Sequence, residues 1–181
     1  MNPAVEELIR LLPHPAAPEP GRDWASVTQR LAAELPTDYR ELVDAFGGGG
    51  YIDEYIWLLE PDCPNDNYDL LLSAEERDDS LNYLWESSEE RPVQAREEGT
   101  RLIPWASTDN GEFLYWLARK DQAPDEWTVM FNEARGEHWE WYDMGCAAFL
   151  VGALTGAIRS ELFWYKFPLP VHAFVPAAET V

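Results

Sequence analysis

Cysteine, histidine and lysine are all scarce in this chain of 181 residues, which has 2 Cys, 3 His and 2 Lys among its 13 basic side chains. Cys63 and Cys146 lie far apart in neither a paired metal spacing nor a disulfide framework, so reduced thiols in a cytoplasmic protein are expected. His14, His138 and His172 form no His-Glu-x-x-His pattern. His138 with Glu137, Glu140 and Asp143 reads more readily as a surface histidine among acids than as a metal site. No Gly-x-Ser-x-Gly elbow occurs. Cys146, at the apolar opening of a helix, could have a lowered thiol pKa, but a buried small hydrophobe is the better reading. No apolar run approaches the roughly 20 residues that cross a bilayer, and no basic stretch leads into a hydrophobic one at the N-terminus. The expectation is a cytoplasmic protein without catalytic residues, cofactor, metal or membrane contact.

Positive charge is the other shortage. The chain has 34 acidic against 13 basic residues, a formal net charge of -21, and residues 51–100 alone hold 15 acids and 3 bases. Such a field repels the phosphates of nucleic acid, so direct DNA or RNA binding is excluded as an expectation. It attracts basic protein surfaces and speeds encounter with them. Runs such as Glu75-Glu76-Arg77-Asp78-Asp79 are ordinarily solvated faces, and composition alone favours solubility over a partner as the reason for the charge.

What is present is a chain with 46% hydrophobic residues, long enough for one domain burying about 70% of its unfolded surface. Asn2-Pro3 ahead of Val5, Leu8, Ile9 and Leu12 predicts a capped short helix. Pro13 to Gly21, with four prolines, predicts a linker, which sets residues 1–21 apart as a helical leader before a domain over 22–181. A second helix is expected over Asp23–Leu35, with Trp24, Val27, Leu31 and Leu35 on one stripe.

The most informative segment is Leu35-Pro-Thr-Asp-Tyr-Arg-Glu-Leu-Val-Asp-Ala-Phe46, followed by Gly47 to Gly50 and Tyr51. Tyr39, Leu42, Val43 and Phe46 make an apolar helical stripe while Asp38, Arg40, Glu41 and Asp44 face away. Pro36 suits the first turn, Thr37 or Asp38 can serve its free amides, and Gly47 can end the helix in the left-handed conformation. Four glycines also suggest a phosphate loop. Here, however, they follow a helix and precede Asp53 and Glu54, where a P-loop needs Lys and Ser or Thr opening a helix.

Tyr51–Leu59 predicts a strand with an acidic entrance at Asp53 and Glu54. Glu60–Asp69 predicts a loop, and Leu70–Glu90 a helix with Leu81, Leu84 and Trp85 inward. Counted from Asn65 as a calcium loop, the twelfth residue is Glu76, but the sixth is Leu70 where the bend needs glycine. Arg91–Thr100 predicts an exposed connection. Strands follow at Leu102–Ser107, with Pro104 requiring an edge or irregularity, and at Phe113–Leu117 after the Asp109-Asn110-Gly111 turn. Two more are expected at Trp127–Phe131 and Trp139–Tyr142, then a helix from about Gly145 to Leu162. Of the nine tryptophans, Trp24, Trp85 and Trp116 fit core positions; Trp57, Trp105, Trp139 and Trp141 are open to core or interface roles.

On the Leu35–Tyr51 motif the chain resembles the SMI1/KNR4 family, the SUKH superfamily, with Leu35, Pro36, Tyr39, Phe46, Gly47 and Gly48 as its structural positions. Ile103–Ala106, Asp109–Gly111, Trp127–Phe131 and the closing helix follow in the family's order, over roughly Trp24–Leu162. The Pro-rich leader and the aromatic tail Phe163–Phe174 depart from it. The resemblance implies a single α+β domain, with N-terminal helices and a closing C-terminal helix packed against a mostly antiparallel sheet. For bacterial members it implies a non-enzymatic immunity protein that neutralises a cognate toxin domain, here expected to be basic and of nuclease type. The alternative is a regulatory protein-interaction scaffold without a toxin partner. The partner surface is expected at Asp53, Glu54, Trp57, Asp62, Asp66, Asp69, Trp105 and Asp109.

Overall fold

The computed structural model describes residues 1–13 and 21–180, so most of the Pro-rich linker, with His14, lies outside the described residues. Among the described residues there are five α-helices: α1 (Pro3–Leu11), α2 (Trp24–Leu31), α3 (Thr37–Phe46), α4 (Leu70–Ser87) and α5 (Cys146–Thr155). Each begins on free backbone N–H groups that need acceptors. Asn2, Asp23 and Asp69 cap α1, α2 and α4 through Ala4, Ser26 and Leu72 N–H. Pro36 and Gly145, which precede α3 and α5, have no capping side chain.

Distant acids serve those two helices instead. The Asp125 carboxylate accepts from Thr37 N–H at 2.6 Å and from its hydroxyl at 3.0 Å, and Asp38 accepts from Ala147 N–H at 3.1 Å. Asp38 is therefore buried between α3 and α5 rather than facing away or serving α3's own first turn, apart from its neighbour Tyr39 N–H at 2.8 Å. That burial pushes its carboxyl pKa up.

The sheet has seven antiparallel strands: β1 (Gly50–Ile52), β2 (Ile56–Leu58), β3 (Arg101–Thr108), β4 (Phe113–Ala118), β5 (Thr128–Asn132), β6 (Trp139–Tyr142) and β7 (Phe174–Pro176). Their order is β6-β5-β4-β3-β2-β1-β7, a meander with the chain's end added beyond β1. Pro104 lies beside a register shift between Pro104 and Ala106, in a stretch of β3 that β2 does not reach. The irregularity anticipated for that proline is present.

Three expectations are corrected. Tyr51–Leu59 is a hairpin and not one strand. Asp53 and Glu54 adopt left-handed φ of 48° and 54°, and Tyr55 N–H returns to the Ile52 carbonyl at 3.0 Å. Paired left-handed residues are what a tight turn between twisted strands requires. The closing helix stops at Gly156, with φ of 74°, well before Leu162. Residues 1–12 are no appendage, since Val5, Leu8 and Leu12 are buried in the main core and α1 packs on α5.

That core fills the space between α1, α3, α5 and one sheet face, around Tyr39, Phe46, Trp105, Trp116 and Phe149. Tyr39 meets Trp116 edge-on at 4.9 Å and donates its hydroxyl to the Leu59 carbonyl. A smaller cluster of Leu81, Leu102, Tyr115, Leu117 and Met130 lies on the opposite face under α4. Of the tryptophans assigned inward, Trp116 is fully buried, while Trp24 and Trp85 are half-buried.

The glycine run is used for close approach. Gly47 ends α3 at φ 73° and Gly48 N–H bonds the Val43 carbonyl at 2.8 Å. A side chain at Gly49 would overlap the Leu58 carbonyl oxygen of the paired strand, whereas Gly21 has open space around it. Gly49→Ala is therefore expected to cost about 1–3 kcal/mol in urea unfolding and Gly21→Ala little, the range for forced overpacking.

Burial raises the hydroxyl pKa of six tyrosines, Tyr39, Tyr51, Tyr55, Tyr68, Tyr115 and Tyr142, with Tyr115 pushed up to about 12. A folded pKa above the unfolded one stabilises below about pH 10, and that stability is lost as pH rises through the folded values. Tyrosinate absorbance should thus appear cooperatively with unfolding above pH 10. Free titration of these rings in a folded protein would contradict it.

Candidate functional site

Tyr51 and Trp57 face each other directly across β1 and β2, which puts both rings on the sheet face opposite the main core. They stack at 4.2 Å with 19° between planes. Tyr68 covers the other side of Trp57 at 3.6 Å and 8°. It is delivered by a single 3₁₀ turn over Asp66–Tyr68, which Asn65 caps through Asn67 N–H at 3.1 Å. Aromatic pairs of this kind add about 0.5–1.5 kcal/mol beyond the area they bury.

Asp109, at the β3–β4 turn, ties the stack to the sheet. Its backbone N–H donates to the Tyr55 carbonyl at 3.1 Å. Its carboxylate accepts from Trp57 Nε1 at 2.8 Å and lies within reach of the Tyr51 hydroxyl, which also approaches the Glu54 carbonyl. Burial and then the Asp109 contact raise the Tyr51 hydroxyl pKa, so that it remains a neutral donor. Trp57 is 8% exposed, Tyr51 and Tyr68 are half-buried, and Asp109 is exposed. A rigid three-ring wall reaches the surface beside a carboxylate.

The expected partner residues divide by burial. Glu54, Asp62, Asp66 and Asp109 are exposed. Asp62 is held by Arg30 through two bonds of 2.6 and 2.7 Å, and that contact lowers its carboxyl pKa. Asp53, Asp69 and Trp105 are corrected to internal roles. The Asp53 carboxylate is fully buried and accepts from Leu169 N–H at 3.1 Å and Ala173 N–H at 2.8 Å, with His172 Nδ1 at 2.8 Å. It clamps the C-terminal tail. Asp69 caps α4 and also accepts from Cys63 N–H at 3.0 Å. Trp105 is 0% exposed, between Trp116 and Phe149.

Trp139 packs on the smaller cluster, while Trp141 is 44% exposed and donates to Thr128 Oγ1 at 3.0 Å. Tyr51 and Tyr68 were not among the expected partner residues. Tyr51 stands at the same parity as Trp57 in the sequence, a signal that could have marked it. Tyr68 had none, because its position depends on a loop.

Leu35, Tyr39 and Phe46 are buried, Pro36 precedes α3, and Gly47 and Gly48 turn the chain into β1.

Burial raises the thiol pKa of Cys63 and, far more, of Cys146, where Asp38 adds to it, so the helix start does not activate that thiol. Among the described residues no three His, Cys, Asp or Glu side chains are placed to hold a metal ion; His138 approaches Glu140 at 3.7 Å, and Glu137 instead accepts from Glu90 N–H at 2.6 Å. Nor, among the described residues, is any helix long and apolar enough to cross a membrane.

The family model SUKH_6, described as SMI1-KNR4 cell-wall, matches residues 22–150. No curated protein and no solved structure matches the chain. The matched span holds α2 to α4, β1 to β6, the first half of α5 and every residue of the stack, but neither α1 nor β7.

Asp109→Ala should remove the acceptor for Trp57 Nε1 and cost about 1 kcal/mol, the usual net worth of such a bond. The indole N–H resonance of Trp57 should move with it. An unmoved resonance would mean that the carboxylate does not hold the ring.

Proposed function

Because the chain belongs to the SMI1/KNR4 family of the SUKH superfamily, we propose that it is a non-enzymatic immunity protein that binds and neutralises a cognate toxin domain. The partner is basic, of nuclease type, and docks on the acid-rimmed face around Trp57. The observation that carries this reading is the Tyr51–Trp57–Tyr68 stack, pinned by Asp109, with exposed carboxylates at Glu54 on the β1–β2 turn and at Asp66 on the 3₁₀ turn that carries Tyr68. Rigid aromatic rings at a surface lose little conformational entropy on binding and make effective anchors. Carboxylates around them steer a positively charged partner and set its orientation.

The acid rim belongs to the part of the chain where charge is most lopsided, residues 51–100 with 15 acids and 3 bases. Neutralisation of this kind makes and breaks no covalent bond. A basic toxin surface that normally receives nucleic acid phosphates would meet protein carboxylates instead, at a geometry fixed by the aromatic wall.

The proposal separates two rate effects. Joint reversal of Glu54, Asp62 and Asp66 to lysine should slow association with the toxin domain at low salt, with the difference from wild type fading as salt rises. Tyr68→Ala should mainly speed dissociation, since a truncated anchor acts on residence time. The toxin domain for these measurements is the one encoded beside this gene, or the one recovered with the protein from its source cell. Unchanged association rates and salt slope in the reversed variant would remove this surface from consideration. Recovery of only a host regulatory protein would favour the scaffold reading.

A further inference from the structure

A cleft of about 790 Å³ lies between the middle of α4 and the β5–β6 turn, away from the aromatic stack. Its walls include Arg77 and Arg135 with Ser80, Tyr83, Leu84 and Asn132. In a chain of net charge -21 the state of these two arginines is informative. Seven arginines have a carboxylate within 3.9 Å, whereas Arg77 and Arg135, like Arg91 and Arg159, are in no ion pair among the described residues, and Arg77 and Arg135 are the two that share a cleft.

Arg77 is also held in place. Its guanidinium lies 4.8 Å over the Phe113 ring and its Nε donates to the Tyr115 hydroxyl at 3.2 Å. A cation fixed by a ring and one hydrogen bond keeps its two terminal amino groups for another acceptor. Arg135 sits on a braced turn. Asn132 Nδ2 donates to the Gly136 and His138 carbonyls at 3.2 and 3.1 Å, and Glu133 Oε1 accepts from His138 N–H at 2.8 Å. Tyr83, 71% exposed, offers a flat ring and Leu84 an apolar flank.

We infer that this cleft binds a small organic monoanion, a carboxylate carried on a flat apolar body. The volume is in the range of small-molecule sites, about 300–1,000 Å³. A planar carboxylate matches the guanidinium fork. Asp79 and Glu89 also border the cleft and, with the strongly negative chain, penalise each further negative charge. This selects a single compact charge over phosphate dianions and nucleotides. The apolar body lies against Tyr83 and Leu84 while the charge reaches the arginines. None of these residues belongs to the toxin-binding surface, so the two readings stand or fall separately.

The test uses the full chain and ligand-observed NMR with four aryl monocarboxylates: benzoate, 4-hydroxybenzoate, phenylacetate and indole-3-acetate. Inorganic phosphate and AMP are the comparison anions. At least one monocarboxylate should bind saturably and move the Arg77 Nε–H resonance. Affinity should fall at least tenfold in Arg77→Ala and in Arg135→Ala, and remain unchanged in Arg159→Ala, an exposed arginine that does not line the cleft. Arg135→Ala, on a surface turn, keeps the test decisive should loss of the Arg77 packing loosen α4. No saturable binding by any of the four, equal binding in both cleft variants, or preference for phosphate or AMP would overturn the assignment.

Discussion

The structure depends on carboxylates and one carboxamide meeting the free N–H groups at the starts of its helices. Asn2, Asp23 and Asp69 do this within their own segments, while Asp125 and Asp38 do it across the fold for α3 and α5. The Asp38 contact joins two helices of the main layer, and Glu41 adds a third by accepting Asn2 N–H at 2.6 Å from the start of α1. Negative charge at a helix start is favoured both by the unsatisfied donors and by the dipole, each at about 0.3–1 kcal/mol or more. In this way acids fix how α1, α3 and α5 sit on one another before their apolar stripes are counted.

A net charge of -21 therefore does not describe surface alone. Asp53 binds the tail, Glu60 receives Gly49 N–H where the glycine run enters β1, and Glu112 receives the Thr108 hydroxyl and lies 3.2 Å from the Tyr55 hydroxyl. These groups are at most 8% exposed and contribute little as contacts for a partner. The exposed acids are spread over the surface, among them Glu54 and Asp66 beside the aromatic stack and Glu75 and Glu76 on α4. Composition gives the total, but only the fold divides it between internal acceptors and external field.

Much of the architecture was legible in the sequence because its signals are local. Caps, apolar stripes and the glycine exit placed α1 to α4, and the Asp-Asn-Gly turn placed β3 against β4. The β1–β2 hairpin was missed for two physical reasons. Its strands carry large apolar residues on both faces, so alternation vanishes, and its turn uses Asp53 and Glu54 where glycine or asparagine would announce the bend. The end of α5 was hidden because Ile158, Leu162 and Phe163 continue an apolar pattern past Gly156, although they pack as irregular chain against the core. β7 is three residues long with a proline, and its pairing with β1 relies on the buried Asp53 clamp. No local pattern encodes such a contact across the chain.

The site was legible only in part, and the two tryptophans show why. Trp57 and Trp105 both stand in strands beside polar or turn residues, and composition treats them alike. Strand pairing separates them: Trp57 is opposite Tyr51 and Ser107 on the face away from the main core, while Trp105 enters that core between Trp116 and Phe149. A one-residue change of register would exchange their faces. The bulge after Pro104 shifts register within β3 itself, so the fate of Trp105 cannot be read by counting parity from Ser107. On the proposed reading, the rings held by Asp109 act only at contact distance, whereas the carboxylates of Glu54 and Asp66 act over about a Debye length, roughly 8–10 Å in physiological salt. The Tyr51–Trp57 part of the anchor can then be retained while the loop carboxylates change, because that pair is held by the sheet, whereas Tyr68 and the rim are carried by loops.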